Sequence, residues 1–592
     1  MKRTKIIATV GPSTDNEELL LRLLDLGVDA FRLNFSHGTY DEWGSRIEFL
    51  KKVREVSGRK IPMILDTKGP EIRTGFIEGY ENDKSAKVNL EQGQIVEIIG
   101  DTKNTTIEGI RTNNNRIYVS YEKIYEHLSE GSQILLDDGN ISLSVEKIEN
   151  DIVYAKVTNS GFLGSRKGVN IPGARLDFPI LNEKDAQDII YGIEKGVDFI
   201  AISFVRKADD IIAVRHLLEQ NNGNGIQLIA KIENKEGCDN IDEIISLCDG
   251  IMVARGDLGV EMPFYEVPII QDMVIEKTLK EGKIVITATH MLNSMITNPM
   301  PTRAEVSDVF NSVKSSSSCI MLSGETANGK YPEESVKAMA NIARTSESLI
   351  DYESFLRHPF LSFKGHISPS VSFAAVTTAY RIDAKAIIAY TESGSTARHL
   401  SMFRSKKPVI AVTPNERVSR QMNLLWGINP ILDTFERDLE ELFGSAQKFV
   451  EKFVHLDEGD KIVVLAGTNV GVSGSTNTMR ILTVGNVVAR GVSLSKGIAE
   501  GTIKVCRDLE EAESKLQQGD ICVFYNFDND CVKFLDKISG IIIPAGAYDA
   551  VAIKEAVSRN IPVIVDVHDV KKRLCDDMRV RINGDKGYVS RI

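Results

Sequence analysis

The chain reads as an α/β protein built on a (β/α)8 TIM barrel. Three observations predict this. Short β-branched runs alternate with longer helical patterns, eight such runs occur in the first 323 residues, and polar residues with chemical use cluster at the C-terminal end of the runs. Near-continuous apolar strands separated by amphipathic helices form a parallel sheet covered by helices, and eight of them close into a barrel whose C-terminal rim carries the active site.

The runs span 5–10, 30–34, 62–66, 199–205, 227–233, 250–254, 284–289 and 319–323. They place the barrel in residues 1–69 and 169–345. Between the third and fourth runs, residues 70–168 alternate at period two, as in Ile141, Leu143 and Val145, around the turn Asp137-Asp138-Gly139-Asn140. This is a small antiparallel β-barrel domain. It leaves and re-enters the barrel at nearly one place, which suits a hinged lid over the rim. Residues 351–485 form a new α/β unit with strands near 386–390, 408–412 and 461–465. Residues 486–592 are glycine-punctuated short strands with one helix. Ser315 to Ser318 reads as a helix end or turn.

The 592 residues suffice for about four domains. With 42% hydrophobic and 26% charged residues, the composition excludes collagenous, disulfide-scaffold and wholly disordered chains. A net charge of −12 disfavours nucleic acid and acidic membrane as partners, while a local basic pocket still admits small anions. The seven cysteines are scattered without a Cys-x-x-Cys spacing, so reduced, buried thiols are expected. No stretch approaches a membrane span, and a cytoplasmic location is expected.

Lys231 and Glu233 leave one run, and Arg255-Gly256-Asp257 leaves the next. On a strand, residues i and i+2 share a face, so Lys231 and Glu233 point together into the mouth. Two carboxylates with a lysine between them suit a hard divalent cation that also touches an anionic substrate; a buried salt-bridge cluster is the alternative. Arg32, Asn34 and Ser36 leave the second run, and Asp66, Thr67, Lys68, Glu71 and Arg73 follow the third. Arginines bind phosphate oxygens in a fork, and Asn, Ser, Asp and Thr oxygens without nitrogen ligands suit a weakly held hard ion. Phosphoryl transfer needs this mixture, because charge spread over three oxygens must be neutralised from several sides.

The ordered strings ATVGPS, RLNFSHG, LDTKGPEIRTG, KGVNIPG, AKIEN, MVARGDLGVE, PTRAE and MLSGETA resemble the pyruvate kinase family, and TESGSTAR, VIAVTPNERVSRQ and GVSGSTNTMRI extend the likeness to about residue 485. The resemblance implies transfer of the phosphoryl group of phosphoenolpyruvate to ADP, giving pyruvate and ATP, in glycolysis. Under it, Glu233 and Asp257 match ligands of Mg²⁺ or Mn²⁺, Lys231 and Arg32 match the groups on the phosphoryl, and Asn34, Ser36, Asp66 and Thr67 match ligands of K⁺. Glu71 matches the acid that accompanies K⁺ dependence. His37, Arg73 and Lys167 match nucleotide contacts, and Gly256 with Asp257 match amides on the substrate carboxylate. Thr289, Ser323 and Glu325 match groups near the enolate carbon and its protonation.

Departures from the family pattern are His290 in place of glutamine, Asn293 in place of glutamate, and the serine run where Asp-Gly is frequent. Thr391, Ser393, Ser395 and Thr396 lie where the family takes a phosphorylated allosteric effector, and the resemblance implies a homotetramer. The last unit resembles the phosphohistidine swivelling domain of phosphoenolpyruvate-utilising enzymes. The stretch Ala547-Tyr548-Asp549-Ala550 has no histidine where such domains carry one, so a structural or regulatory role is expected. Two other readings compete: a metal-dependent lyase handling pyruvate on a similar barrel, which would not need the lid, Arg73 or Lys167, and a catalytically retired effector-binding protein, which would have lost Lys231 or a metal carboxylate.

Overall fold

All eight runs contain strands in the structure, a computed structural model that describes residues 2–357, 366–434, 438–467, 476–544 and 548–592. They are β1 (Lys5–Val10), β2 (Ala30–Asn34), β3 (Met63–Asp66), β4 (Phe199–Ile202), β5 (Gln227–Ile232), β6 (Gly250–Ala254), β7 (Ile284–Ala288) and β8 (Cys319–Leu322). Each pairs with its sequence neighbours, and β1 pairs in parallel with β8, Lys5 opposite Cys319, which closes the barrel. Burial on both faces explains why the strands read as apolar runs rather than alternating ones. The helices outside are tied at their starts: Asn16 caps Glu17–Leu26, and Thr39 with Glu42 and Thr302 with Glu305 form reciprocal capping boxes. Leu20 and Leu23 of the first helix pack with Phe31, Leu33 and Leu65 in one core.

Five runs are shorter than the sequence suggests: the fifth, seventh and eighth each lose their last residue, the third its first, and the fourth its last three. Pro62 precedes β3 because it has no N–H for the ladder. The fourth run ends at Ile202, since Phe204 takes a left-handed φ of 57° and turns the chain out of the sheet. The serine run is a helix end, with Ser315 following Arg303–Lys314 and Ser316 at φ 73°.

The insertion forms a seven-stranded sheet in the order 72–73, 168–170, 133–136, 141–149, 152–157, 95–100, 116–119. A bridge between Thr74 and Val119 links its two ends, making it barrel-like. One pairing corrects the purely antiparallel expectation: Ile95–Gly100 runs parallel to Arg116–Val119. The connection between them is long enough to cross over, which a hairpin would not allow. Asp137, Asp138 and Gly139 all have positive φ in the tight turn that places Leu136 opposite Ile141. Ile98, Leu136, Leu143 and Val153 fill this domain's own core.

The next α/β region has the strands Ala386–Tyr390, Val409–Thr413, Ile428–Leu432, Lys461–Gly467 and Thr476–Thr483, two more than the sequence predicts, and Val409–Thr413 pairs in parallel with Ile428–Leu432. The chain divides into two compact units, one of residues 1–373, 389–435 and 471–476, the other of 374–388, 436–470 and 477–592. The first holds the barrel and lid. The second contains an eight-stranded sheet whose faces pack separate cores around Cys522 and Phe524 and around Ile521 and Val523. Beyond residue 485 the described residues hold three α-helices, Leu509–Lys515, Ala550–Ser558 and Val570–Arg573, rather than one. None exceeds nine residues, too short for a clear period. Six cysteines are buried as expected, but Cys575 is exposed, in a polar turn with Asp576 and Asp577. Among the described residues no helix is long and apolar enough to cross a membrane.

Candidate active site

The barrel's strand ends bring a cluster of opposite charges into a buried group at the rim. Asp66, at the end of β3, accepts from Arg32 Nε at 2.6 Å and from Lys231 Nζ at 3.1 Å, one on each carboxylate oxygen. Arg32 also donates to Thr9 Oγ1 at 3.2 Å, and Lys231 to Ser203 Oγ at 2.7 Å. Lys231 Nζ lies 3.0 Å from Glu233 Oε1, the shared strand face predicted from their spacing. Arg32, Asp66, Lys231 and Glu233 are all buried. Burial works against each charge, but Arg32 and Lys231 hold the Asp66 carboxyl below its ordinary range, and Asp66 and Glu233 hold the Lys231 ammonium above its own. Glu233 goes the other way: burial, reinforced by Asp257 and opposed by Lys231, pushes it up to about 7.

Asp257 sits in the first turn of Arg255–Glu261, which starts directly after β6. That turn is fixed by Arg255, whose fork reaches both oxygens of Asp308 at 2.7 Å. The Gly256 amide donates to Thr289 Oγ1 at 2.7 Å. Thr289 stands just past β7 with φ 64°, and the exposed His290 follows at φ 54°. A β-branched residue in the left-handed region is strained, and such strain persists where surrounding structure over-determines it, as at functional sites. Ser323 and Glu325 lie past β8. Both Glu325 oxygens are taken by amides, those of Leu292 at 3.0 Å and Ser323 at 2.7 Å, while the buried Ser323 hydroxyl has no hydrogen-bond partner among the described residues.

The donor set fits the ions expected from sequence. Glu233 Oε1 is buried, and its contact with Lys231 lacks hydrogen-bond alignment, leaving an oxygen suited to a cation. Among the described residues no three His, Cys, Asp or Glu side chains gather for a metal. Glu233 and Asp257 alone would therefore hold a hard ion that completes its shell with substrate or water oxygens. Asn34 and Asp66 are register partners on β2 and β3, with Ser36 and Thr67 beyond them. They form an oxygen-only group in which Asn34 Oδ1 accepts from Ser36 N at 3.2 Å and Thr67 Oγ1 from Ser203 N at 3.1 Å.

A cavity of about 550 Å³ opens beside this cluster, lined by His37, Arg73, Asp137, Lys167 and Asp257 among others. Arg73 Nε and Nη2 reach Glu71 Oε2 at 2.8 and 2.6 Å, and Lys167 pairs with Asp137 at 2.7 Å. Asn170 of the lid donates to Glu261 Oε1 at 2.7 Å, so lid and barrel rim meet across the cavity. Thr391, Ser393, Ser395 and Thr396 lie elsewhere, at the start of the helix Ser395–Met402. There Thr391 Oγ1 accepts from Gly394 N at 3.0 Å, and Thr396 Oγ1 is 2.5 Å from Thr476 Oγ1. Residues 471–475 of the GVSGSTNTMRI string, and Ala547, lie outside the described residues.

Sequence reasoning missed Thr9 and Ser203, the hydroxyls that orient Arg32 and Lys231. Ser203 lay hidden inside a run taken as strand to residue 205; the left-handed Phe204 is what releases it, and no residue type there announces that turn.

Comparison with known proteins gives one answer along the chain. Residues 1–336 match the family model "Pyruvate kinase, barrel domain", 369–482 match "Pyruvate kinase, alpha/beta domain", and 516–587 match "PEP-utilising enzyme, mobile domain". A pyruvate kinase of Sporosarcina psychrophila is 42% identical over 591 residues, covering 100% of this chain and 99% of its own. One of Bacillus licheniformis is 40% identical over 592 residues, with the same coverage. Among solved structures, a pyruvate kinase from Cryptosporidium parvum superposes with a TM-score of 0.76 at 36% identity, over 81% of this chain and 96% of that one.

Proposed function

The chain belongs to the pyruvate kinase family and transfers the phosphoryl group of phosphoenolpyruvate to ADP, giving pyruvate and ATP in glycolysis; from that premise we propose how its side chains divide the work. Lys231 and Arg32 neutralise the phosphoryl in flight, each held in place by a different oxygen of Asp66. Glu233 and Asp257 would hold a divalent ion, Mg²⁺ or Mn²⁺, which when bound would supply Lewis-acid stabilisation of the enolate oxygen. Asn34, Ser36, Asp66 and Thr67 hold K⁺. His37 of the barrel and Arg73 and Lys167 of the lid, all lining the cavity, take the nucleotide phosphates. The Gly256 amide, which donates to Thr289 Oγ1 at 2.7 Å, exchanges that bond for the substrate carboxylate and orients it together with the backbone leading into Asp257. Thr289 lies against the enolate carbon, and Ser323, with Glu325 fixing its backbone, serves the proton transfer to it.

The observation that carries this reading is Lys231 Nζ within 3.1 Å of both Asp66 and Glu233, with Glu233 held by the amide of Phe204, which lines a cavity together with Asp257, Arg73 and Lys167. A lyase would have no use for the two lid cations. The test is direct: protein, phosphoenolpyruvate, ADP, Mg²⁺ and K⁺ are mixed and pyruvate is followed, and single substitutions of Lys231, Glu233 and Arg73 each lower the rate. Unchanged rates in all three would overturn the division of labour.

We further propose a cytoplasmic homotetramer controlled by a phosphorylated effector at Thr391, Ser393, Ser395 and Thr396. Amides and hydroxyls gathered at a helix start favour a phosphate, and Phe264, Tyr265, Ile269 and Met300, each at least 65% exposed, offer apolar surface for self-association. The terminal domain is structural or regulatory rather than a phosphohistidine carrier, since the helix start at Asp549 and Ala550 has no histidine. Activity titrated with sugar phosphates, nucleotides and inorganic phosphate, alongside mass measurement in solution, tests both points.

A further inference from the structure

The short loop after β4, residues 203–206, touches both chains that cross to the lid and both charged groups of β5's end. Ser203 Oγ accepts from Lys231 Nζ at 2.7 Å and donates to Thr67 O at 2.7 Å. The next amide, of Phe204, donates to Glu233 Oε2 at 2.7 Å. Gly69, on the chain leaving for the lid, lies so close that a Cβ there would sit 2.7 Å from Ser203 Cβ and 2.8 Å from Phe204 Cδ2. On the chain coming back, Leu176 and Phe178 present their carbonyls to Arg206, which donates to them at 2.5 and 2.6 Å through its two Nη atoms.

Arg206 is itself fixed. Asp210 accepts from its backbone N at 2.8 Å and from Nη2 at 3.4 Å, and Asn240 donates to its carbonyl at 2.9 Å. Arg206 and Asp210 are both buried. Carbonyls of a surface connection can be satisfied by water, so the fold alone does not ask for a buried guanidinium here. A planar fork with two parallel donors suits a pair of carbonyls that must stay in one geometry. Phe204, between the two clamps, holds a left-handed φ that an aromatic residue adopts only under constraint.

We propose that Arg206 is a positioning residue for phosphoryl transfer. By clasping the chain returning from the lid to the loop that presents Ser203 to Lys231 and the Phe204 amide to Glu233, it sets lid placement and the seating of both groups together. The inference rests on the roles given above to Lys231 and Glu233. Misplacement of a reacting group by about 1 Å is enough to cost on the order of a hundredfold in rate, so slack in this loop is expected to reach the chemistry as well as the lid.

The test uses full-length Arg206→Ala and Arg206→Lys; the lysine variant keeps charge and the Asp210 pair but cannot clasp two carbonyls, and it carries the test should the alanine variant not fold. Three quantities are read: kcat and KM for ADP and for phosphoenolpyruvate; the exchange of pyruvate methyl protons with deuterium oxide in the presence of Mg²⁺ and phosphate, which needs no nucleotide; and amide hydrogen exchange of residues 171–178. Expected are a rise in KM for ADP of about tenfold or more, a fall in methyl exchange of at least about threefold, faster amide exchange at 171–178, and partial rescue of Arg206→Ala by added guanidinium. A normal KM for ADP with unchanged amide exchange overturns the lid role, and normal methyl exchange overturns the link to Lys231 and Glu233. Lys231→Met is the control: if it transfers phosphoryl normally, the assignment of Lys231 has failed rather than that of Arg206.

Discussion

Replacing Lys231 by methionine removes one cation from a cluster where its loss has a calculable consequence. The methionine fills the space of the lysine stem but makes none of its three short contacts, to Asp66 at 3.1 Å, Glu233 at 3.0 Å and Ser203 at 2.7 Å. Asp66 keeps Arg32 at 2.6 Å, so that carboxylate remains paired. Glu233 loses its cation; already pushed up to about 7, it takes a proton more readily, which limits the folding cost to below the ~3–5 kcal/mol of stranding a buried charge. The catalytic loss is larger in its effect. One preorganised group facing the developing charge is worth about 3–4 kcal/mol, so turnover falls roughly 10²- to 10³-fold. Substrate affinity changes less, because Arg32 still binds the phosphate in the ground state. Initial rates of pyruvate formation over a matrix of both substrates separate kcat from KM, with a circular-dichroism melt to show the variant folded. A folded variant whose kcat stays within about threefold of the parent would refute the assignment.

Three other outcomes are expected. Chelating divalent ions with excess EDTA abolishes pyruvate formation but leaves the thermal melt in place, because the barrel core is closed by apolar packing and not by a metal; collapse of the melt would show a structural ion instead. Replacing K⁺ by a bulky organic cation lowers the rate at least about tenfold, ~1.4 kcal/mol in the barrier, and a rate indifferent to K⁺ would remove Asn34, Ser36, Asp66 and Thr67 from ion binding. His399 gives a pH signature. Burial, helped by Arg398 and His366, lowers it to about 4, below the ~6.5 of an unfolded histidine. Between these values the unfolded chain binds more protons, so its contribution to stability is intact above about pH 6.5 and is lost as pH falls towards 4, by up to ~3 kcal/mol and less with its partial exposure. His399→Gln should flatten that acid limb of the melting temperature; an unchanged limb would place the cause elsewhere.

What could be read in the sequence, and what could not, follows from where each signal resides. The barrel was legible because strands buried on both faces must be apolar throughout, and their polar successors stand out at the ends; Arg32, Asp66, Lys231, Glu233 and Asp257 are all marked as candidates by that contrast, and β5's alternation puts Lys231 and Glu233 on one face. Ser203 escaped because it sits between apolar neighbours, Phe199 to Ile202 before it and Phe204 and Val205 after, and only the backbone turn at Phe204 moves it from strand to site. Lid strand 116–119 was misjudged because pairing direction depends on how far the connection can reach, a property of path rather than of residue type. Arg206 is the sharpest case: its partners are the carbonyls of Leu176 and Phe178, and a backbone carbonyl is the same at every residue, so no pattern of side chains could have marked them. A residue whose work is to hold backbone therefore looks like any surface arginine until the fold supplies its partners, and positioning residues are the part of such a site that composition and spacing systematically hide.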